Sequence, residues 1–277
     1  MRANILILGA GDLGTACALR LFRAGFGVVI AEQQRPLDIH FHRTYNAAAY
    51  TGSKTIENIP ARTFSYALES GMISNEQNPL DYLEFQLNNR EIAYLVPADF
   101  PYLKRARFDF LIVSDPALQK SVQPALNDQV TIITFTHHTE AMPGHYRIIY
   151  EEPHKGRVFY PFLQDTFEMS DKGDREPETH LIRAPLEGVF IAEKSAGDFV
   201  HEKEVIGKIG DIPILAPQNG HLSGMLNSGI MIDRGTVFAE VQPPAKETDS
   251  RAIPAAYFNL AGGVLEAVLY HLNLGEE

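Results

Sequence analysis

The segment from Asn4 to Glu32 restricts the fold more than any other part of the chain. Asn4 to Leu8 is a short apolar run that leads into Gly9-Ala10-Gly11-Asp12-Leu13-Gly14. A helical pattern follows, with Leu13, Cys17, Leu21 and Phe22 near one face and Gly25 at its end. Gly27 to Ala31 is a second apolar run, and Glu32 stands at its end. Dinucleotide chemistry requires this order. Gly9 permits a tight turn, Gly11 lets backbone approach a pyrophosphate, and Gly14 lets helix and strand pack closely, while the helix N-terminus faces the phosphates. Ala10, Asp12 and Leu13 complete the cofactor-binding turn. Glu32, 18 residues beyond Gly14, is placed to accept hydrogen bonds from a ribose 2′-hydroxyl, which favours NAD over NADP. Arg35, close behind, could instead meet a 2′-phosphate. The bland alternative is the same strand-helix-strand shape kept without a cofactor. Cys17 reads as a small residue packed against the sheet.

Beyond Glu32, Ala47 to Phe64 reads as a hairpin or pair of short strands around Gly52. Pro79 to Asn88 reads as a helix with Pro79 in its first turn. Ile92 to Val96 and Phe108 to Val113 suit buried parallel strands. Asp115-Pro116 starts another helix, and Val130 to Phe135 is a further strand. This alternation predicts an α/β fold with a doubly wound, mainly parallel Rossmann-like sheet over residues 1–163. Ligands of such sheets sit at the carboxyl ends of strands. Ser114, Asp115, Thr136, His137 and His138 fall on that rim and form a second tier of site candidates.

Composition bounds the partners. The chain has 277 residues, enough for two ordinary domains. Lys+Arg 24 against Asp+Glu 35 gives a net charge of −11, which argues against a general nucleic-acid binder but leaves room for a local anion site. A single Cys excludes an internal disulfide framework. The N-terminal apolar run is too short for a signal-peptide core. The stretch from Ile253 to Leu274 is interrupted by Pro254, Asn259, Gly262, Gly263, Glu266 and His271, which argues against a membrane span. A cytoplasmic protein is expected. His40-x-His42 would put two imidazoles on one face of a strand, but no third or fourth convergent ligand is evident, so no metal is expected. No G-x-S-x-G elbow points to a serine hydrolase.

Residues 164–180 are acidic and polar and read as a linker between domains. A repeat follows over 181–242. Ala184-Pro185 recurs as Ala216-Pro217, Gly188 as Gly220, Gly197 as Gly229, Val200 as Ile232, Val205 as Val237 and Ile209 as Val241, all at an offset of 32. Two such copies suit a small all-β sandwich with internal twofold symmetry. The pattern resembles the biotinyl/lipoyl (hammerhead) carrier module. Such carriers bear their modified Lys on the hairpin joining the halves, whose tip here is Gly210-Asp211. Lys208 stands before that tip without the flanking residues carriers use, so neither covalent biotin nor lipoate is expected. Residues 243–277 read as a second linker and a C-terminal helix apolar on several faces. Such a helix must be buried, against the first domain or in a homo-oligomer. Gly262-Gly263 would allow either backbone approach to a ligand or close helix packing.

Taken together, the chain resembles the selenium-dependent molybdenum hydroxylase system protein family. The matching pieces are Gly9-Ala10-Gly11-Asp12, Arg20-Leu21 with Gly25-Phe26, Glu32 with Pro36, His154 before Gly156-Arg157-Val158, Arg183-Ala184-Pro185 with Gly188-Val189-Phe190, Gly197-Asp198, and Gly262-Gly263-Val264-Leu265-Glu266-Ala267. His154 joins the second tier of site candidates on this basis. The resemblance implies an NAD(P)-binding accessory or maturation protein, with molybdenum hydroxylase subunits or maturation factors as partners. Three segments depart from the family pattern: Ser114-Asp115-Pro116-Ala117, residues 136–144, and Gln242-Pro243-Pro244. They mark a divergent branch. Two other readings stay open: a free-standing NAD-dependent oxidoreductase, and a non-enzymatic dinucleotide-responsive sensor. No Lys, Tyr or His sits in a recognisable catalytic motif.

Overall fold

The structure is a computed structural model that describes residues 3–74, 78–122, 126, 129–136, 144–160, 180–244 and 249–274. The chain divides into two compact units. The first comprises residues 1–36, 45–174 and 254–277; the second comprises 37–44 and 175–253. The 161–179 segment, which covers the expected linker up to His180, lies outside the described residues.

In chain order the first unit contains β1 (Asn4–Leu8), α1 (Asp12–Arg23), β2 (Gly27–Ala31), α2 (Ala48–Thr51), β3 (Ser53–Ile56), β4 (Ile59–Arg62), α3 (Phe64–Glu69), α4 (Pro79–Asn88), β5 (Ile92–Leu95), α5 (Phe100–Leu103), β6 (Phe110–Val113), α6 (Gln119–Val122), β7 (Thr131–Phe135), β8 (Tyr146–Ile148) and β9 (Val158–Phe159). They build one mixed sheet in the order β3-β4-β5-β2-β1-β6-β7-β8-β9. All pairs are parallel except β3 with β4 and β8 with β9. β2 to β5 all lie on one side of β1 and β6 to β9 on the other, so β1 and β6 flank a reversal point. The central strands are continuous Val, Ile and Leu runs because both faces are covered. One face sends Leu6, Leu8, Val29, Ala31, Leu95, Leu111 and Val113 into a core with Leu83 of α4, Phe100 and Leu103 of α5, and Val122 of α6. Phe110, of opposite parity to Leu111, meets the His271 ring edge-on at 5.4 Å. His271 belongs to the last helix, α7 (Ala255–Leu274), which packs along α1.

That packing decides between the two readings of Gly263. A Cβ there would lie 2.1 Å from the Gly156 carbonyl oxygen, so the missing side chain lets α7 approach the loop before β9. No ligand is needed to explain it. Other local expectations differ from the structure. The hairpin turns at Glu57-Asn58, both at positive φ, rather than around Gly52, which ends α2 in the left-handed region at φ +76. Asp115-Pro116 opens a single 3-10 turn, Pro116–Leu118, before the one-turn α6.

The second unit contains β10 (His180–Arg183), β11 (Gly188–Ala192), β12 (Phe199–Val200), β13 (Val205–Ile209), β14 (Ile212–Leu215), β15 (Gly220–Met225), β16 (Ile230–Ile232) and β17 (Val237–Gln242). They form two antiparallel four-stranded sheets, β10-β17-β15-β12 and β14-β13-β11-β16. Shifting by 32 residues carries β10 to β14, β11 to β15, β12 to β16 and β13 to β17. Each sheet is therefore the other with every strand replaced by its repeat mate. The same offset relates buried pairs: Phe190 and Leu222, Val200 and Ile232, Ile206 and Phe238, Ile209 and Val241. Lys208 faces Pro213 across the β13–β14 hairpin and is exposed.

Leu37–Thr44 belongs to this second unit as a strap. Ile39 accepts a hydrogen bond from the Met225 amide at 2.7 Å. His40 lies over Gly224, where a Cβ would come within 2.8 Å of its ring. The strap is turn and coil, which corrects the expectation of a strand carrying both imidazoles on one face. The two rings stand edge to face, with centroids 6.3 Å apart, and bond different partners. His40 Nε2 meets Glu240 Oε2 at 3.3 Å, and His42 Nε2 meets the Ser250 carbonyl at 2.6 Å. No helix among the described residues is long and apolar enough to cross a membrane.

Candidate functional site

The glycine turn lies where β1 meets the sheet's reversal point. Leu8, the last residue of β1, accepts hydrogen bonds from the amides of Ser114 (3.1 Å) and Asp115 (2.9 Å) just past β6. Gly9 turns at φ +95 and donates to the Ala31 carbonyl at 3.0 Å. A Cβ on Gly9 would sit 2.8 Å from Asp115 Cβ, and one on Gly14 would sit 1.9 Å from the Gly9 carbonyl oxygen. The protein's own packing thus requires two of the three glycines. Gly11 is different. Its φ is an ordinary −64, and the nearest atom to a Cβ there would be Asn46 Nδ2, 4.0 Å away. The space above Gly11 is open, and nothing in the described protein requires its lack of a side chain.

Helix α1 starts at Asp12 with Gly11 as N-cap, so no side chain caps it. The first amides of a helix have no intrahelical acceptor and carry the positive end of its dipole. Thr15 holds the turn from below: its hydroxyl donates to the Ala10 carbonyl at 2.7 Å and accepts from the Tyr45 amide at 3.0 Å. Glu32, 4% exposed, holds it from the side. Its Oε2 accepts from the Ala10 amide at 2.8 Å and its Oε1 from the Gln33 amide at 2.7 Å. Asp12 and Leu13 are buried at 8% exposure each. Asp12 favours the helix dipole but puts a negative charge beside any anion bound there.

The second-tier residues separate. Ser114 joins the turn directly, with its hydroxyl donating to the carbonyls of Leu8 and Gly9. The Asp115 carboxylate accepts from the Ala117 amide at 2.9 Å and caps the 3-10 turn. Thr136 and His154 lie farther along the rim, after β7 and β8. β7 and β8 lie two and three strands from β1 in the sheet. The Thr136 hydroxyl donates to Glu151 and accepts from the Tyr150 amide; the His154 amide donates to the Glu151 carbonyl at 3.1 Å. Arg35 is exposed, three residues past Glu32. His137 and His138 lie outside the described residues.

Sequence reasoning missed Thr15, Tyr45 and Asn46. Thr15 was legible in principle, one residue after the last glycine. Tyr45 and Asn46 arrive from a 3-10 turn more than 30 residues away, and no periodicity announces them. Burial pushes the Tyr45 phenol well above its usual range, and its hydroxyl donates to the Ile59 carbonyl at 3.0 Å. It is a wall and not a proton donor. Burial also raises the Cys17 thiol to about 12, so the α1 cysteine is no nucleophile. Among the described residues, no group of three or more His, Cys, Asp or Glu side chains is placed to hold a metal ion.

Fold and site together define an α/β protein with a glycine turn at the reversal point of a mainly parallel sheet, joined to a twofold-repeated β unit. No known family profile matches the chain. It is 28% identical over 276 residues to the uncharacterized protein YqeB of Escherichia coli K12, a match covering 98% of this chain and 48% of YqeB. The chain thus spans about half the length of that relative. Among solved structures it is similar to an aspartoacylase family protein from Mesorhizobium loti, at 12% identity and a TM-score of 0.27, covering 88% of this chain and 85% of that one. A succinylglutamate desuccinylase/aspartoacylase from Rhodobacter sphaeroides aligns at 10% identity and a TM-score of 0.24, covering 88% and 86%. Likenesses this shallow carry no argument about either unit.

Proposed function

We propose that the first unit is a Rossmann-type domain that binds NAD or NADP at Gly9 to Gly14. The second unit, in this reading, is a biotinyl/lipoyl-like module that has lost its carrier lysine. The observation that carries the nucleotide reading is the contrast among the glycines: packing accounts for Gly9 and Gly14, while Gly11 leaves an open cradle over an uncapped helix start. A pyrophosphate needs that combination. The backbone of Ala10 to Leu13 would hold the diphosphate. Glu32, at the end of β2 beside the turn, would meet the adenosine ribose and so favour NAD. A bound nicotinamide cofactor would supply hydride transfer.

The role we assign is that of an accessory or maturation protein beside a molybdenum hydroxylase. It rests on the order of motifs along the sequence. Calorimetry with NAD(H) and NADP(H) tests the nucleotide reading. Wild type is expected to bind, with NAD preferred, and Gly11→Val is expected to abolish binding by filling the cradle. Undiminished affinity in Gly11→Val overturns the site. Affinity purification from a host that expresses a molybdenum hydroxylase tests the role: recovery of its subunits or maturation factors is expected, and their repeated absence overturns it.

A further inference from the structure

We propose that the outer face of the β14-β13-β11-β16 sheet docks a segment of a partner protein that carries a carboxylate flanked by apolar side chains. The proposal stands on the repeat of the second unit and is independent of the nucleotide site. The two sheets are repeat mates, so their outer faces can be compared position by position. Alternate residues of a strand face outward. On the β10-β17-β15-β12 sheet, Leu181, Glu240 and Gly224 lie opposite one another across three strands. The strap covers this row. His40 lies over Gly224, its Nε2 meets Glu240 at 3.3 Å, and Glu240 is only 9% exposed. The matching row of the other sheet is Pro213, Lys208 and Ile191, and beside it Val189 lies opposite Met231. This row is open. Val189 is 38%, Ile191 37% and Met231 55% exposed, and Lys208 is exposed as well. Single exposed apolar residues are ordinary, whereas a contiguous patch marks an interaction surface.

The charge reversal between the mates identifies the occupant. The 32-residue offset carries Lys208 to Glu240. One sheet presents an anion and the strap meets it with an imidazole. Its mate presents a cation at the same place, so a complementary cover brings an anion. The seat differs too. Gly224 stands opposite Glu240 and leaves room for a ring, whereas Ile191 stands opposite Lys208. A Glu or Asp side chain reaching the Lys208 ammonium, with apolar neighbours on Val189, Ile191 and Met231, fits this face. A second copy fits less well, because a symmetric pairing brings both Lys208 side chains into one interface.

The test titrates short synthetic peptides, alternating Val with Glu or Val with Lys, into the full-length protein and follows amide chemical shifts. The Glu peptide is expected to bind at least tenfold tighter than the Lys peptide, to perturb β11, β13 and β16, and to weaken as salt is raised. Lys208→Glu should reverse the preference. Met231→Asp should weaken the Glu peptide tenfold. Both positions are exposed, so the thermal midpoint should hold in each variant. No saturable binding, shifts confined to other surfaces, or an unchanged preference in Lys208→Glu overturns the proposal. So does a dimer, seen by sedimentation, that Met231→Asp dissociates, since the occupant is then a second copy. Binding that appears only when the acidic residues of 164–179 are replaced by Ser overturns it as well, since this chain then supplies its own cover.

Discussion

The Glu32 carboxylate accepts the Ala10 amide at 2.8 Å. The residue that would greet a ribose is thus also a brace for the turn that would greet the phosphates. Its two roles can be separated by substitution. Glu32→Ala leaves a buried amide without an acceptor, which costs ~1–3 kcal/mol. Glu32→Gln keeps an acceptor oxygen and should lose less. The denaturant midpoint is expected to fall in the order wild type, Gln, Ala. An Ala variant as stable as wild type would refute the bracing role.

The glycines make opposite predictions for stability. Gly11→Ala meets open space at an ordinary φ, so its thermal midpoint should stay close to that of wild type. Gly14→Ala drives a methyl to within 1.9 Å of backbone, and Gly263→Ala does the same at 2.1 Å. Overpacking of this kind costs about 1–3 kcal/mol. Unfolding curves for the three variants check the contrast, and a Gly14→Ala protein with an unchanged midpoint would contradict the close approach of α1 to the turn.

Cys17 should resist thiol reagents in the native protein. It is fully buried, and burial raises its thiol to about 12, which leaves almost no thiolate at neutral pH. Maleimide labelling is expected to track global unfolding across a denaturant series. Rapid labelling without denaturant would show that α1 is not packed as described.

Mild acid should weaken the second unit through His42. Burial, the largest cause, lowers its pKa from the usual 6.5; the Ser250 carbonyl opposes this, while Arg43 and His40 add to it and Asp38 opposes it. With the folded pKa below the unfolded one, the unfolded state binds more protons as pH falls through 6.5. The contribution of His42 to stability is therefore complete above that pH and is lost progressively below it. His271 is shifted in the same direction, so the comparison must be with a variant. The thermal midpoint of His42→Gln should fall less between pH 7 and 5 than that of wild type. Parallel slopes would remove His42 as the cause.

What the sequence made legible was local or periodic. The β1–α1–β2 unit could be read because strand, turn, helix and acid are consecutive. The helix from Pro79 was legible because Pro79 fits the first turn; the structure adds the Asn78 side chain as its cap. The two β sheets were foreshadowed by the 32-residue offset, since a repeat writes one packing solution twice. What stayed hidden depends on contacts between distant segments. Asn46 reaches Gly11 through a coil with no pattern, and Gly52 serves a helix end where a hairpin turn was expected. His40 and His42 looked like a pair, yet they serve two different partners, because the segment carrying them is held by another part of the chain.

That strap gives the second unit an unusual pedigree. Its eight strands span His180 to Gln242, yet Glu240 meets an imidazole, and Met225 a carbonyl, supplied from residues near 40. A fragment cut at the linker would carry every strand and still lack those partners. Any attempt to transplant the β unit must therefore carry both pieces of chain.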